Sequence, residues 1–205
     1  MGKIFSNGLY KFKVSDYKSL NKKLISEIYS MRKKHKNGVV KSNFGGWHSK
    51  DIYVYQDSDV RLQDISKIIS NFYSKKIYKN KKDIIVSMIW ANINNKEDYN
   101  ISHTHPYSHY SGVYYVKVPK NSGNLYFGES TANFEYEFTD KFKVPNVDIE
   151  KSFEQYEIIP KEGMLYMWQS HLEHGVSKNK TNEDRISISF NFNFIDLKKQ
   201  LKEQE

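Results

Sequence analysis

An α+β fold dominated by strands, with two N-terminal helices buttressing a β-sandwich, is predicted by three features of this 205-residue chain. Apolar residues recur at helical spacing in two early stretches only. From residue 83 onward the pattern changes to short runs, alternating or wholly apolar, separated by turn residues. Aromatic residues make up 15% of the chain, with 16 Tyr and 12 Phe, a content that favours a β-rich core. Helices first and strands afterwards is the order of an α+β protein. A chain of this length buries roughly 70% of its unfolded surface in one core. One domain over 1–205 is therefore expected, with helical and extended support in 1–82, the β core in 83–194 and a polar tail in 195–205. There is no internal repeat and no linker.

Residues 3 to 14 alternate apolar and polar, with Ile4, Leu9, Tyr10, Phe12 and Val14 marking a leading strand or extended arm. Ser15 or Asp16 is placed to cap a helix that runs to about Lys34, its stripe formed by Leu20, Leu24, Ile25, Ile28 and Met31. The stretch 37–49 is rich in turn residues yet carries Trp47 and His48, and is expected to be a loop over the mouth of a pocket. Leu62 to Tyr78 forms the second helix, with Leu62, Ile65, Ile69, Phe72 and Tyr73 on its buried side. Lys75, Lys76 and Lys79 lie at its end, where the helix dipole favours cations.

Ile84 to Ile93 is apolar almost throughout, as a strand covered on both faces should be. A polar loop from Asn94 to Ser102 leads into His103-Thr-His105-Pro and then a strand from Ser111 to Val118. Pro119 to Gly123 is a turn, and Asn124 to Phe127 a short strand. Residues 128 to 155 show no clear periodicity over a length that points to a functional loop or lid. Gln155 to Ile159 and Met164 to Trp168 read as strands about the turn Pro160 to Gly163. A loop over 169–184 carries His171 and His174, a strand over 185–194 closes the sheet, and a short polar helical tail follows.

The chain has no cysteine, which excludes disulfides and thiolate metal sites and leaves nitrogen and oxygen ligands for any metal. The formal net charge is +8, but the lysines are scattered among Asn, Ile and Tyr. Beyond the short Tyr10-Lys-Phe-Lys13, no long run interleaves Lys or Arg with aromatics, so nucleic acid ranks below a protein or small molecule as partner. The N-terminus lacks an apolar run of signal-peptide length, and no stretch of about 18 apolar residues is present. A soluble cytoplasmic protein without a membrane partner is expected, and nothing points to an oligomeric state.

Chemistry concentrates in two stretches. His103 and His105 stand at i and i+2, so both imidazoles can leave one face of an extended chain, which is half of a metal site. His174 supplies a distant third on a neighbouring strand. Beyond it, Arg185, Ser187, Ser189, Asn191 and Asn193 share one face of a strand while Ile186, Ile188, Phe190, Phe192 and Phe194 share the other. The polar face begins with an arginine and is then uncharged, which suits the lining of a polar pocket, with the apolar face turned out against helices. A buried arginine needs an anionic partner, and a hydroxyl at Ser187 can share the grip on a carboxylate. Three N or O ligands with a carboxylate-binding Arg-x-Ser describe a mononuclear iron centre that chelates a dicarboxylic cosubstrate. The plainer alternative is three unrelated polar residues on loops beside strands. Of the 7 histidines, His35 reads as a surface residue, while His109 and His171 read as surface or supporting residues.

The sequence resembles the 2-oxoglutarate and Fe(II)-dependent oxygenases, and among them those related to prolyl hydroxylases. The matching pieces are Gly45-Gly-Trp-His-Ser49, Trp90-Ala-Asn92, His103-Thr-His105-Pro106, Ser111-Gly-Val-Tyr-Tyr-Val116, Ser122-Gly123, Gly163, His174-Gly-Val and Arg185-Ile-Ser-Ile-Ser-Phe-Asn191, in collinear order. The resemblance implies a double-stranded β-helix, a cupin-like jelly roll with the helices packed on its major sheet. It implies Fe(II), 2-oxoglutarate and O2 as reactants of a dioxygenase that hydroxylates a protein side chain or small molecule, releasing succinate and CO2. His103 and His174 would ligate the iron, with His105 where most members carry Asp or Glu; an acid from elsewhere, such as Glu129, or water is the alternative. Arg185 would bind the C5 carboxylate of 2-oxoglutarate, assisted by Ser187, with Asn92 and Tyr114 touching the cosubstrate. Trp47, Tyr107 and residues 128–155 are placed on the substrate side. The rival reading is a non-catalytic, cupin-like module that binds a metal or small anion.

Overall fold

The computed structural model of the protein describes residues 9–53, 62, 64–69, 83–128 and 156–195. Two antiparallel sheets face each other. The larger contains β1 (Tyr10–Lys13), β3 (Trp47–His48), β4 (Asp83–Asn94), β6 (Tyr110–Lys117), β9 (Met164–Gln169) and β11 (Arg185–Ile195), in the order β1-β9-β6-β11-β4-β3. The smaller runs β2-β5-β10-β7-β8, from β2 (Asn43–Phe44), β5 (Tyr99–His103), β10 (His174–Val176), β7 (Leu125–Phe127) and β8 (Tyr156–Ile158). Neighbours in both sheets are distant in sequence, which is the jelly-roll arrangement of the double-stranded β-helix expected from the sequence.

Side-chain alternation sorts the larger sheet into two faces. Ile186, Ile188, Phe190 and Phe192 of β11 point outward with Ile89, Ala91 and Ile93 of β4 and with Tyr114 and Val116 of β6. The helix α1 (Tyr17–Lys34) covers this face with Leu24, Ile28 and Met31, joined by Leu62, Ile65 and Ile69 from the helical stretch 64–69 and the turn before it. The inward faces meet in a second cluster, where Val113, Tyr115, Tyr166 and Trp168 of the larger sheet pack on Leu125, Phe127 and Ile158 of the smaller.

The helix stripe contains one polar member that the sequence pattern did not single out. Asn21 is buried, its Nδ2 donates to the Val116 carbonyl at 2.7 Å, and its Oδ1 accepts from the Tyr114 hydroxyl at 2.6 Å. It ties α1 to β6. Asp16 takes the N-cap position in a left-handed conformation, and its side chain makes no capping bond.

Three expected loops contain strands. The stretch 37–49 forms β2 and β3, 94–102 contributes most of β5, and 169–184 contains β10. These strands are only 2, 5 and 3 residues long, too short to impose a period on the sequence. The arm over 3–8, the end of the second helix over 70–78 with its lysines, the lid proposed over 129–155 and the tail over 196–205 lie outside the described residues. Among the described residues no helix is long and apolar enough to cross a membrane.

Candidate metal centre

The smaller sheet brings two histidines together by register. His174, first residue of β10, pairs directly with His103, last residue of β5, with ring centroids 4.5 Å apart. His105 stands two residues beyond, held by its backbone N–H to the Ser170 carbonyl at 3.0 Å, with its ring 4.8 Å from His103 and 5.1 Å from His174. One ligand nitrogen from each of the three lies within 4.8 Å of the others.

The backbone fixes two of the rings. His103 Nδ1 lies 2.8 Å from the Ile101 carbonyl, and His174 Nδ1 lies 2.8 Å from the Leu172 carbonyl. A carbonyl oxygen only accepts, so each Nδ1 carries the proton and each Nε2 keeps its lone pair. This is the tautomer and the bracing that a metal-binding imidazole requires. All three imidazoles are held below the usual histidine pKa. Burial is the first cause in each, and the neighbouring His103 adds to the shift of His174 and of His105, the latter lowered to about 4. Three neutral imidazoles near pH 7 are ready to bind a cation without releasing protons.

A cavity between the sheets runs from these rings to Arg185, and its lining includes Asn92, Tyr115, Trp168, Ser187 and Ser189. Register explains the polar floor: Ser187 of β11 lies between Asn92 of β4 and Tyr115 of β6, and Ser189 between Trp90 and Val113. Asn92 Nδ2 donates to Ser189 Oγ at 3.1 Å. At the far end Arg185 is 1% exposed. Its Nη1 donates to the Ser122 carbonyl at 2.6 Å and reaches the Ser177 carbonyl at 3.4 Å, while its Nη2 has no partner among the described residues. Gly123 makes room for this: at φ +93° it adopts a conformation that side chains disfavour, and a Cβ there would meet Arg185 Nη1 and the Ser177 carbonyl. No Asp or Glu is among the described residues lining the cavity. Burial pulls the guanidinium pKa below its ordinary value, opposed by the nearby Tyr115 and Asp98, but arginine stays charged.

Several predicted positions are reassigned. Tyr114 faces α1, bonded to Asn21, so it is Tyr115 that enters the cavity. Adjacent strand residues point to opposite faces, and both faces of β6 are buried, so composition could not say which tyrosine goes in. Trp47 is a core residue, its indole N–H donating to the His35 carbonyl at 2.8 Å, whereas His48 beside it stacks on Trp90 at 5.6 Å. His48 and Trp90, with Lys41, Met88, Thr104 and Asn191, line a second cavity that opens onto His103 and His105. Tyr107 is 97% exposed and lines neither cavity. His35, His109 and His171 are exposed, and His109 bonds Asn193. Glu129 lies outside the described residues.

The donor set fits a first-row metal with a bound dicarboxylate. Neutral imidazoles suit iron. The buried guanidinium of Arg185, in a cavity whose described lining residues include no carboxylate, has the charge and geometry to suit a carboxylate.

Comparison with known proteins agrees. No curated protein matches the chain. Among solved structures, a prolyl-4-hydroxylase from Pseudomonas putida superposes with a TM-score of 0.61 at 12% identity, covering 91% of this chain and 92% of that one. A prolyl hydroxylase from Trichoplax adhaerens, in complex with a peptide of the hypoxia inducible factor oxygen degradation domain, gives 0.62 at 14%, covering 96% and 87%. The non-heme alpha ketoglutarate dependent carbocyclase SnoK of nogalamycin biosynthesis gives 0.65 at 8%, covering 91% and 79%. At these identities the likeness establishes the fold. The family model described as "Putative 2OG-Fe(II) oxygenase" matches residues 88–191, from β4 to β11 and thus across the whole histidine and arginine constellation. The chain belongs to that family, the 2-oxoglutarate and Fe(II)-dependent oxygenases, which use Fe(II) as cofactor with 2-oxoglutarate and O2 as cosubstrates.

Proposed function

We propose that the protein is a dioxygenase that hydroxylates a protein side chain or small molecule with release of succinate and CO2. The observation that carries this reading is the presence, in one cavity, of three imidazoles with free Nε2 or equivalent ligand nitrogens and a buried arginine with an unsatisfied Nη2. His103, His105 and His174 hold Fe(II), and Arg185 grips the C5 carboxylate of 2-oxoglutarate with Ser187 beside it. Asn92 and Tyr115, on either side of Ser187, complete that end of the cavity. When bound, the iron and its cosubstrate supply the oxidation, one oxygen atom of O2 entering succinate and the other a substrate C–H bond as CO2 leaves.

The residues of the chain do the positioning. The carbonyls of Ile101 and Leu172 keep the protons of His103 and His174 on Nδ1, so the ligand atoms face inward. Phe127 and Trp168 pack their rings against His174 at 6.1 and 4.7 Å and keep water from that side. The all-histidine set leaves the centre one charge more positive than a set with a carboxylate, which strengthens its hold on an anionic chelator. Substrate approaches through the cavity lined by Lys41, His48 and Trp90. The likeness to prolyl hydroxylases makes a peptidyl side chain the first substrate class to try.

The test is succinate formation from 2-oxoglutarate by the purified protein with Fe(II) and ascorbate, beside His174→Ala and Arg185→Ala. Slow turnover by the wild type even without substrate, absent in both variants, is expected. A wild type that neither binds nor decarboxylates 2-oxoglutarate after anaerobic loading with Fe(II) would instead be a metal or small-anion binding module.

A further inference from the structure

The cavity contains a second buried donor without an acceptor. Trp168, on β9, is 2% exposed and lines the same cavity as Arg185 and His174, and its Nε1–H has no partner among the described residues. The indole is a donor only, so nothing but an acceptor can satisfy it. Its ring stands nearly at right angles to Phe127, at 5.1 Å and 84°, and sits 4.7 Å from the His174 imidazole.

The polar group paired with it in register is already engaged. Ser111, opposite Trp168 in register, bonds Ser170 at 2.7 Å and Asn191 at 2.8 Å, and that network makes no bond to the indole. Position along the sheet separates the two orphan donors. Trp168 shares a row with Ser111 and Asn191, and Arg185 lies six residues before Asn191 on β11. That is about 20 Å of strand, more than both side chains span toward one carboxylate group. The guanidinium therefore marks one end of the cavity and the indole marks the histidine end. A linear dicarboxylate laid between them offers an acceptor to each.

We infer that Trp168 is a cosubstrate-binding residue, its Nε1–H donating to the C1 carboxylate of 2-oxoglutarate at the metal end while Arg185 takes the C5 carboxylate. This rests on the reading of the cavity given above. The bond fixes the rotation of the carboxylate next to His174, and succinate, whose new carboxylate arises from the 2-oxo carbon, loses it. Trp168 thereby favours cosubstrate over product.

Trp168→Phe tests this, because it keeps an aromatic ring between Phe127 and His174 and removes the N–H donor. In Mn(II)-loaded protein, calorimetry is expected to show 2-oxoglutarate binding weakened about tenfold or more, the loss of one hydrogen bond to a charged group. Mn(II) affinity without 2-oxoglutarate is expected to be unchanged. In wild-type protein loaded with Zn(II) and labelled with 15N-tryptophan, one of the 3 indole N–H signals should move downfield on adding 2-oxoglutarate and be the signal missing from the variant. Equal 2-oxoglutarate affinity in the two proteins, or loss of Mn(II) and 2-oxoglutarate affinity together, would overturn the assignment, the second by revealing a packing role at His174. A wild type that does not bind 2-oxoglutarate in a metal-dependent way would bring down the function itself, and shows in the wild-type arm alone.

Discussion

Arg185 places a full charge in the interior with no carboxylate among the described residues lining its cavity, a situation proteins accept when a ligand supplies an anion. Two of its contacts are spent on backbone carbonyls, which aim the fork and leave Nη2 without a partner among the described residues. A lysine cannot reproduce that geometry, since its ammonium is a point charge on a flexible stem. Arg185→Lys should weaken metal-dependent 2-oxoglutarate binding by about tenfold or more while Mn(II) binding without 2-oxoglutarate stays the same, read by calorimetry. The motif Arg-x-Ser was legible because a lone arginine heads an otherwise uncharged face. The makeup of the cavity around it was not, because that depends on every residue that comes near it in space.

At the scale of elements, α1 and β6 are joined through Asn21, which spends both ends of its amide on that strand. Tyr114→Phe removes the hydroxyl that Asn21 Oδ1 accepts from and leaves that buried oxygen unpaired. The expected result in urea unfolding is a loss of about 1 to 2 kcal/mol, with 2-oxoglutarate affinity unchanged because Tyr114 faces away from the cavity. A loss of 2-oxoglutarate binding with stability intact would mean that Tyr114 rather than Tyr115 serves the cavity. The pair shows where sequence reading stops. Alternation places neighbouring tyrosines on opposite faces, but in a strand with both faces covered the choice of face is made by the partners. In β11 the two faces differ in polarity, so the same alternation gave the correct sides.

Over the whole molecule, the grouped histidines couple stability to pH. His48 is lowered first by burial and then by Lys41, against bonding to the Ser49 carbonyl and the charge of Asp51 that raise it; His103, His105 and His174 are also lowered. Facing these rings are the cation of Lys41, which opposes protonation of His105, and Glu173, which favours it at His103. Unfolded histidines titrate near about 6.5. Above that pH the rings are neutral in both states and add nothing. As pH falls from there toward about 4, where His105 titrates in the folded protein, the unfolded chain binds protons that the folded one refuses, and stability drops. Metal-free thermal melts should therefore fall steeply between these limits, and His105→Gln should flatten the slope. An identical slope in that variant would show that other groups control it.

The sequence by itself determined the class of the fold, the faces of β11, the helix stripe and the identity of the residues with chemistry to offer, because these depend on period, residue type and spacing along one strand. Tertiary structure decided what those residues meet. It set His174 opposite His103 by pairing two short strands, sent Tyr115 rather than Tyr114 into the cavity and turned Trp47 into core while His48 faced the mouth. It also left Arg185 and Trp168 with unspent donors in one enclosed space. Register, burial and the satisfaction of hydrogen bonds are properties of pairs distant in the chain, and no local pattern encodes them.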